Sequence, residues 1–237
     1  MEYLYETHLH TREASACASL SGAQQVRLYK KLGYTGIIVT DHFFGGNTCI
    51  PRDIPWQEKI ELFCLGYEHA KKEGEKIGLS VFFGLETNFR GTEFLLYGVG
   101  KEWLLSHPQM LNWSVADQYR EVKAAGGMVV HAHPFREANY LPKAKVYPDT
   151  VDAVEGYNFG NRNPKFNELA IQYAKQYNKP LTGGGDAHNL DSGHGGICVK
   201  QPWNSVKDYI EIIIKKEKYQ ILHQSKKLED ETEIQNF

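Results

Sequence analysis

Three pairs of metal-ligand residue types recur at i, i+2 spacing: His8-Leu9-His10, His131-Ala132-His133 and Asp186-Ala187-His188. On a β-strand both members of such a pair project from one face, so each pair offers two donors to a single centre. Asp41-His42 and Glu86 add further imidazole and carboxylate groups. Imidazole nitrogen and carboxylate oxygen without thiolate suit Zn, Mn or Fe, and the number of donors exceeds what one tetrahedral ion needs. A lone strand histidine is ordinarily a hydrogen-bonded core residue, and a lone Glu86 a solvated strand end. Of ten histidines, however, His69, His107, His194 and His223 alone lie outside these groups, and that concentration argues for a metal site. The four cysteines, at 17, 49, 64 and 198, form no CxxC pair. Neither a disulfide framework nor a cysteine zinc site is expected, and buried packing is the reading for Cys17, Cys49 and Cys64.

The elements that must carry these residues are set by apolar periodicity. Runs rich in β-branched and aromatic residues at 3–10, 35–42, 79–88, 93–100, 127–134, 151–158 and 180–188 are seven strand candidates. Segments 22–32, 56–77, 114–125 and 164–177 have helical character, and strand alternating with helix indicates a parallel α/β architecture. The third and fourth runs are separated only by 89–92, which contains Arg90-Gly91 and predicts a hairpin. The metal-ligand residues fall at the carboxyl ends of five of the strand candidates, which converge in a barrel and spread along an edge in an open sheet. A barrel is therefore expected. A short strand at 197–200 and a helix at 205–216 come next, and residues 226–237 read as a frayed polar tail of a single domain, 1–237.

Lys and Arg total 27 against 29 Asp and Glu, a formal net charge of -2. No broad basic field exists to hold long nucleic acid, so an acidic substrate must be bound locally. No apolar run approaches the ~20 residues of a membrane span, and the N-terminus lacks the pattern of a signal peptide. A cytoplasmic location without membrane contact is expected, and oligomeric state is not legible.

The motifs HLHT at 8–11, TDH at 40–42, Gly-Leu-Glu at 84–86, AHP at 132–134 and GGDAH at 184–188 together resemble the ordered motifs of the PHP (polymerase and histidinol phosphatase) superfamily. The resemblance runs from about residue 6 to 196. It implies a distorted (β/α)7 TIM-like barrel with two or three divalent transition metals (Zn, Mn or Fe) that hydrolyses phosphoesters. It places His8, His10, His42, Glu86, His133, Asp186 and His188 on ligand motifs, with Glu86 as the bridge. Two positions depart from it. Where many relatives carry another histidine after HxH, this chain reads TREASACAS, leaving Glu13 as substitute; where many carry a histidine before the fourth strand's aliphatic run, this chain has Glu93. His131 is either a ligand or a partner that orients one, and Asp41 is expected to hold His42 or another imidazole in its tautomer.

A phosphoester hydrolase also needs cationic groups beside its metals. Arg136, in HPFR, and Arg162, in the loop after the sixth strand run, are the candidates, since guanidinium forks match phosphate oxygens. The loop 191–196 could bring His194 to phosphate as a contact or proton donor, or could be a plain mobile loop. The expected function is metal-dependent hydrolysis of a small phosphoester, such as histidinol phosphate or a nucleotide, by a metal-bridging hydroxide. An amidohydrolase-like activity on an amide or ester, and a non-catalytic metal-binding module, are the alternatives.

Overall fold

The computed structural model describes residues 1–137 and 144–223; the expected tail at 226–237 lies outside them. In chain order the elements are β1 (Tyr3–Leu9), α1 (Gly22–Lys31), β2 (Gly36–Val39), α2 (Trp56–Ile77), β3 (Ser80–Phe89), β4 (Thr92–Tyr97), α3 (Lys101–Leu105), α4 (Val115–Ala124), β5 (Met128–His131), β6 (Ala153–Asn158), α5 (Lys165–Gln176), β7 (Leu181–Gly184), β8 (Ile197–Val199), α6 (Val206–Ile214) and β9 (Gln220–Ile221). Local chemistry sets the helix ends. Ser21, Ser114 and Ser205 each close a capping box, with Gln24, Asp117 and Asp208 as partners, and α2 stops at Gly78, whose φ of 70° is left-handed.

The strands run in the order β7-β6-β5-β4-β3-β2-β1-β8-β9. Pairing is parallel throughout β1, β2 and β3 and again through β5, β6 and β7, while β4 is antiparallel to both of its neighbours. β1 and β7 then close the ring at one end only. Leu9 bridges Ala187 in parallel, His10 N–H donates to Ala187 O at 2.9 Å, and Asp186 N–H donates to His8 O at 2.8 Å. The other end of β1 pairs antiparallel with β8. The seam of this nearly closed barrel thus joins the HLH and DAH motifs directly.

At the opposite end the barrel interior is apolar: Tyr5, Ile38, Leu95, Tyr97, Met128 and Val130 meet Tyr209, Ile210 and Ile213 of α6. Trp203 stacks on Tyr5 at 3.7 Å between ring centroids. Outside, α1 and α2 pack closely because Gly22 leaves room for the Gly66 carbonyl. The expected barrel, hairpin and helix placements match this fold, and every strand of the ring except β3 is shorter than its apolar run. Two of those strands end early where non-glycine residues turn left-handed, His133 at φ 25° and Asp186 at φ 53°. Among the described residues no helix is long and apolar enough to cross a membrane.

Candidate metal centre

Eight side chains, His8, His10, His42, Glu86, Glu93, His133, Asp186 and His188, form four overlapping groups in which donor atoms lie within 4.8 Å of one another. The strand ends supply them. β1 gives His8; the residues just past β1, β2, β5 and β7 give His10, His42, His133, Asp186 and His188; β3 gives Glu86. Because β4 runs antiparallel, its start lies at the same end as the other strands' finish, and Glu93 faces Asn88 there and joins the cluster.

The innermost group has the dimensions of an ion's coordination shell. His8 Nε2 is 3.2 Å from His10 Nε2, 3.4 Å from Glu86 Oε1 and 3.5 Å from Asp186 Oδ1; His10 Nε2 is 3.1 Å from Asp186 Oδ1 and 3.6 Å from Glu86 Oε2. Four donors at about 2.0–2.1 Å from a tetrahedral ion lie about 3.3–3.4 Å apart. Each Glu86 oxygen also meets a second set of donors. Glu86 Oε1 is 3.2 Å from His133 Nε2, which is 3.5 Å from Glu93 Oε2. Glu86 Oε2 is 2.7 Å from His42 Nδ1, yet neither atom has a hydrogen-bond partner, because the line between them misses the hydrogen-bond direction. Close, misaligned acceptors are what two ligands of one ion look like.

Outer contacts fix the imidazole tautomers so that lone pairs face inward. His8 Nδ1 is 2.9 Å from Glu155 Oε1, and His188 Nδ1 is 2.7 Å from the Asp186 carbonyl. His10 Nδ1 is 3.2 Å from Ser15 Oγ, which itself donates to Asp41 Oδ1 at 2.7 Å. Each partner is an acceptor, or has its own proton committed, so each Nδ1 carries the proton and each Nε2 is left bare. Glu155 is in turn held by the His133 N–H at 3.0 Å and the Asn158 amide at 2.8 Å.

Electrostatics points the same way. Burial would raise the Glu86 and Asp186 carboxyls, but His8 and His42 around Glu86, and Arg136 and His8 around Asp186, hold both well below the usual carboxylate range. Burial opposes charging His8, yet Glu155, Asp186 and Glu86 raise it well above the ordinary imidazole value. Two buried carboxylates facing bare imidazole nitrogens are costly unless a positive charge lies between them, so the donor set fits divalent metal ions.

The other sequence candidates divide between the centre and its surroundings. Asp41 does not touch an imidazole; it accepts from Thr11 N–H and Thr11 Oγ1, both at 2.6 Å, and acts on His10 through Ser15. Glu13 is turned away from the cluster: its oxygens accept the Gly22 N–H at the start of α1, at 3.1 and 3.2 Å, and meet His69 Nδ1 at 2.9 Å. His131 points out of the barrel, stacked on Phe94 at 5.1 Å and edged by Tyr147 and Tyr173, with neither ring nitrogen hydrogen-bonded. The same-face expectation for His131 and His133 fails because the left-handed His133 backbone breaks the strand's alternation. Arg136 reaches the centre, 2.5 Å from Asp186 Oδ2, with Nε on Asn161 Oδ1 at 2.9 Å and Nη2 on Asn158 Oδ1 at 2.7 Å. Arg162 is exposed, one residue beyond Asn161. His194 is buried edge-on against Tyr29 rather than in the cluster. Its loop is wedged, not loose: the Gly195 N–H donates to buried Glu6 at 2.9 Å.

Sequence reasoning missed Ser15 and Glu155, which hold His10 and His8. Cys64 is buried as expected, but Cys17 and Cys49 are exposed. Burial works to raise the Cys17 thiol, and hydrogen bonds with His188 and His42 outweigh it and bring it to about 6. No motif announces Ser15 or Glu155: Ser15 links His10 to Asp41, 26 residues on, and Glu155 reaches His8 from β6.

The family described as PHP-associated matches residues 164–192, which span α5, β7 and the DAH motif. No curated protein sequence matches the chain. Among solved structures, the fold is similar to that of a candidate metal-dependent phosphoesterase from Bifidobacterium adolescentis, at 17% identity and TM-score 0.59 over 91% of this chain and 97% of that one. It is also similar to a two-domain protein from Bacteroides vulgatus containing a predicted PHP-like metal-dependent phosphoesterase, at 16% identity and TM-score 0.63, over 94% of this chain and 65% of that one. An amidohydrolase from Chromobacterium violaceum, solved with sulfate and no metal, is similar at 12% identity and TM-score 0.55, over 87% and 95% of the two chains. The chain resembles the PHP superfamily in motif order, in this family match and in fold.

Proposed function

We propose that this chain is a metal-dependent phosphoesterase acting on a small phosphorylated substrate. The observation that carries the reading is the convergence of His8, His10, Glu86 and Asp186 at 3.1–3.6 Å with lone pairs inward. His8, His10, Glu86 and Asp186 would hold one ion, and His133, Glu93 and His42 a second, with Glu86 shared. Divalent ions bound there supply Lewis acidity toward a phosphoryl oxygen and lower the pKa of water toward neutrality.

The protein's own part is to orient and to neutralise. Arg136 lies on the centre's rim, held by Asn158 and Asn161, with Nη1 outside those contacts, and can donate to the oxygens of a transferring phosphoryl group. Arg162, on the same loop as Asn161, is suited to a more distal anionic group of the substrate. Asp41 and Ser15 hold His10, and Glu155 holds His8, in the one tautomer that coordinates. With a net charge of -2, histidinol phosphate or a nucleotide suits the site better than long nucleic acid.

A panel of histidinol phosphate, nucleoside mono- and bisphosphates, a short single-stranded oligonucleotide and representative amides and esters, each with added Mn or Zn, tests the reading. Release of phosphate is expected. Turnover confined to amides or esters would assign the centre to amidohydrolase chemistry, and metal binding without turnover of any of them would make it a non-catalytic module.

A further inference from the structure

Beside the metal centre, a cleft of about 370 Å³ opens between the loop after β2, the tip of the β3–β4 hairpin and the segment joining α3 to α4. Its walls adjoin the centre: Phe43 and Phe44 follow His42, and Asn88, which lines the cleft, donates to Glu93 Oε1 at 3.0 Å. No residue lining it is one of the eight that form the metal groups, nor is it Arg136 or Arg162. The inner part is buried and apolar but for one group. Phe43, Met110 and Gln118 are all buried, and the Gln118 amide nitrogen has no hydrogen-bond acceptor among the described residues. A donor orphaned in so buried a place is costly, and a ligand in the cleft that Gln118 lines supplies the missing acceptor.

The outer part is aromatic and cationic. Phe89 and Trp113 are half-buried, and Arg52, Lys59 and Arg90 edge the opening, the two arginines exposed. Lys59 Nζ lies 5.8 Å from the centre of the Phe44 ring. Among the described residues none of these three cations forms a salt bridge, and no acidic residue lines the cleft. Arg90 holds φ 55° at the hairpin tip, a left-handed position that glycine or asparagine fills more readily. The turn itself therefore does not account for an arginine there.

We propose that this cleft binds a small aromatic anion, with its ring against Phe44, Phe89 and Trp113, an acceptor atom on Gln118 and its negative charge toward Arg52, Lys59 and Arg90. Aromatic side chains offer flat apolar contact, cations without carboxylate partners favour a negative group at the rim, and the volume is that of a small-molecule site. Ring and charge are common to two sources. One is a phosphoester whose aromatic leaving group carries a second anionic group, a use that rests on the phosphoesterase reading; the other is a separate aromatic anion.

The test is calorimetric titration of the full chain as purified, with inorganic phosphate present to occupy the metal centre, using naphthalene carboxylate and its neutral carboxamide as probes. One carboxylate per chain is expected to bind, about 10-fold or more tighter than the carboxamide. Replacing both rim arginines, Arg52→Ala with Arg90→Ala, should weaken the carboxylate by about 10-fold at a parental Tm, and Gln118→Leu should weaken both probes. No carboxylate binding at millimolar concentration, equal affinity for the two probes, or affinity unchanged in the double arginine variant overturns the assignment. Hydrolysis of para-carboxyphenyl phosphate against phenyl phosphate separates the two sources. A KM about 10-fold lower for the former, lost in the double arginine variant, places a leaving group in the cleft; equal KM values assign the cleft to a separate anion. Turnover of neither phosphate with the naphthalene carboxylate still bound counts against the phosphoesterase reading alone.

Discussion

Glu86 is the residue on which the centre turns, since its two oxygens face different imidazole sets, His8 and His133 on one side and His10 and His42 on the other. Glu86→Gln keeps the shape and removes the shared charge. Metal content and phosphoester turnover should both fall while the circular dichroism spectrum is unchanged, and activity within a few-fold of the parent would show that Glu86 is not shared. Arg136→Ala should lower kcat/KM for a phosphomonoester by about 10- to 1000-fold, equivalent to roughly 1.4–4 kcal/mol of lost transition-state contact, with Lys rescuing only in part. Metal retained at the parental level would place the loss in phosphate binding. Metal lost in parallel would instead make Arg136 a positioning residue for Asp186, its 2.5 Å partner. The chemistry of these residues was legible in the sequence because i, i+2 pairs and their order constrain it. Glu13 was not, because a helix N-terminus competes for the same carboxylate and takes it.

The secondary-structure elements act on the site through close approaches and through the faces their residues choose. Gly66 of α2 lies against the Thr11–Asp41 pair, and a methyl there would overlap Thr11 Oγ1 and come 2.9 Å from Asp41 Oδ2. Gly66→Ala is therefore expected to cost about 1–3 kcal/mol, seen as a lower Tm, and to loosen the Asp41–Ser15–His10 chain. An unchanged Tm would mean that α2 does not press on the site. His131, on β5, is buried among aromatic rings, and that burial, with His133 nearby, lowers its pKa to about 3. The unfolded imidazole charges near pH 6.5, so the native state gains from a neutral His131 above that pH and loses the gain as the pH falls toward 3. With chelator present, His131→Phe should lose less Tm than the parent between about pH 7 and pH 4; equal losses would show that His131 does not contribute. The sequence placed β5 correctly but not the face of His131, which depends on a left-handed backbone at His133 that no periodicity announces. The reversed β4 was legible as a hairpin, and Glu93's arrival at the centre comes from that reversal rather than from its local sequence.

At the scale of the whole molecule, ring closure and metal site are one feature. At the seam the HLH and DAH motifs exchange backbone hydrogen bonds and Thr7 Oγ1 donates to Gly183 O at 2.7 Å, so the contact that completes the barrel also fixes His8, His10, Asp186 and His188 relative to one another. The far end is closed by apolar packing of α6, which leaves the metal-ligand residues at the opposite, polar end of the barrel. Alternating strands and helices made the barrel readable, whereas the loop carrying Ser15 was not, since the carbonyls that pin it, those of Asn47 and His188, are distant in sequence. The direct test of a polynuclear centre is elemental analysis of protein purified without chelator and reconstituted in turn with Zn, Mn and Fe. The converging donors predict two or more ions per chain; a reproducible content below one ion per chain with all three metals would contradict the metal centre and the hydrolysis proposed for it.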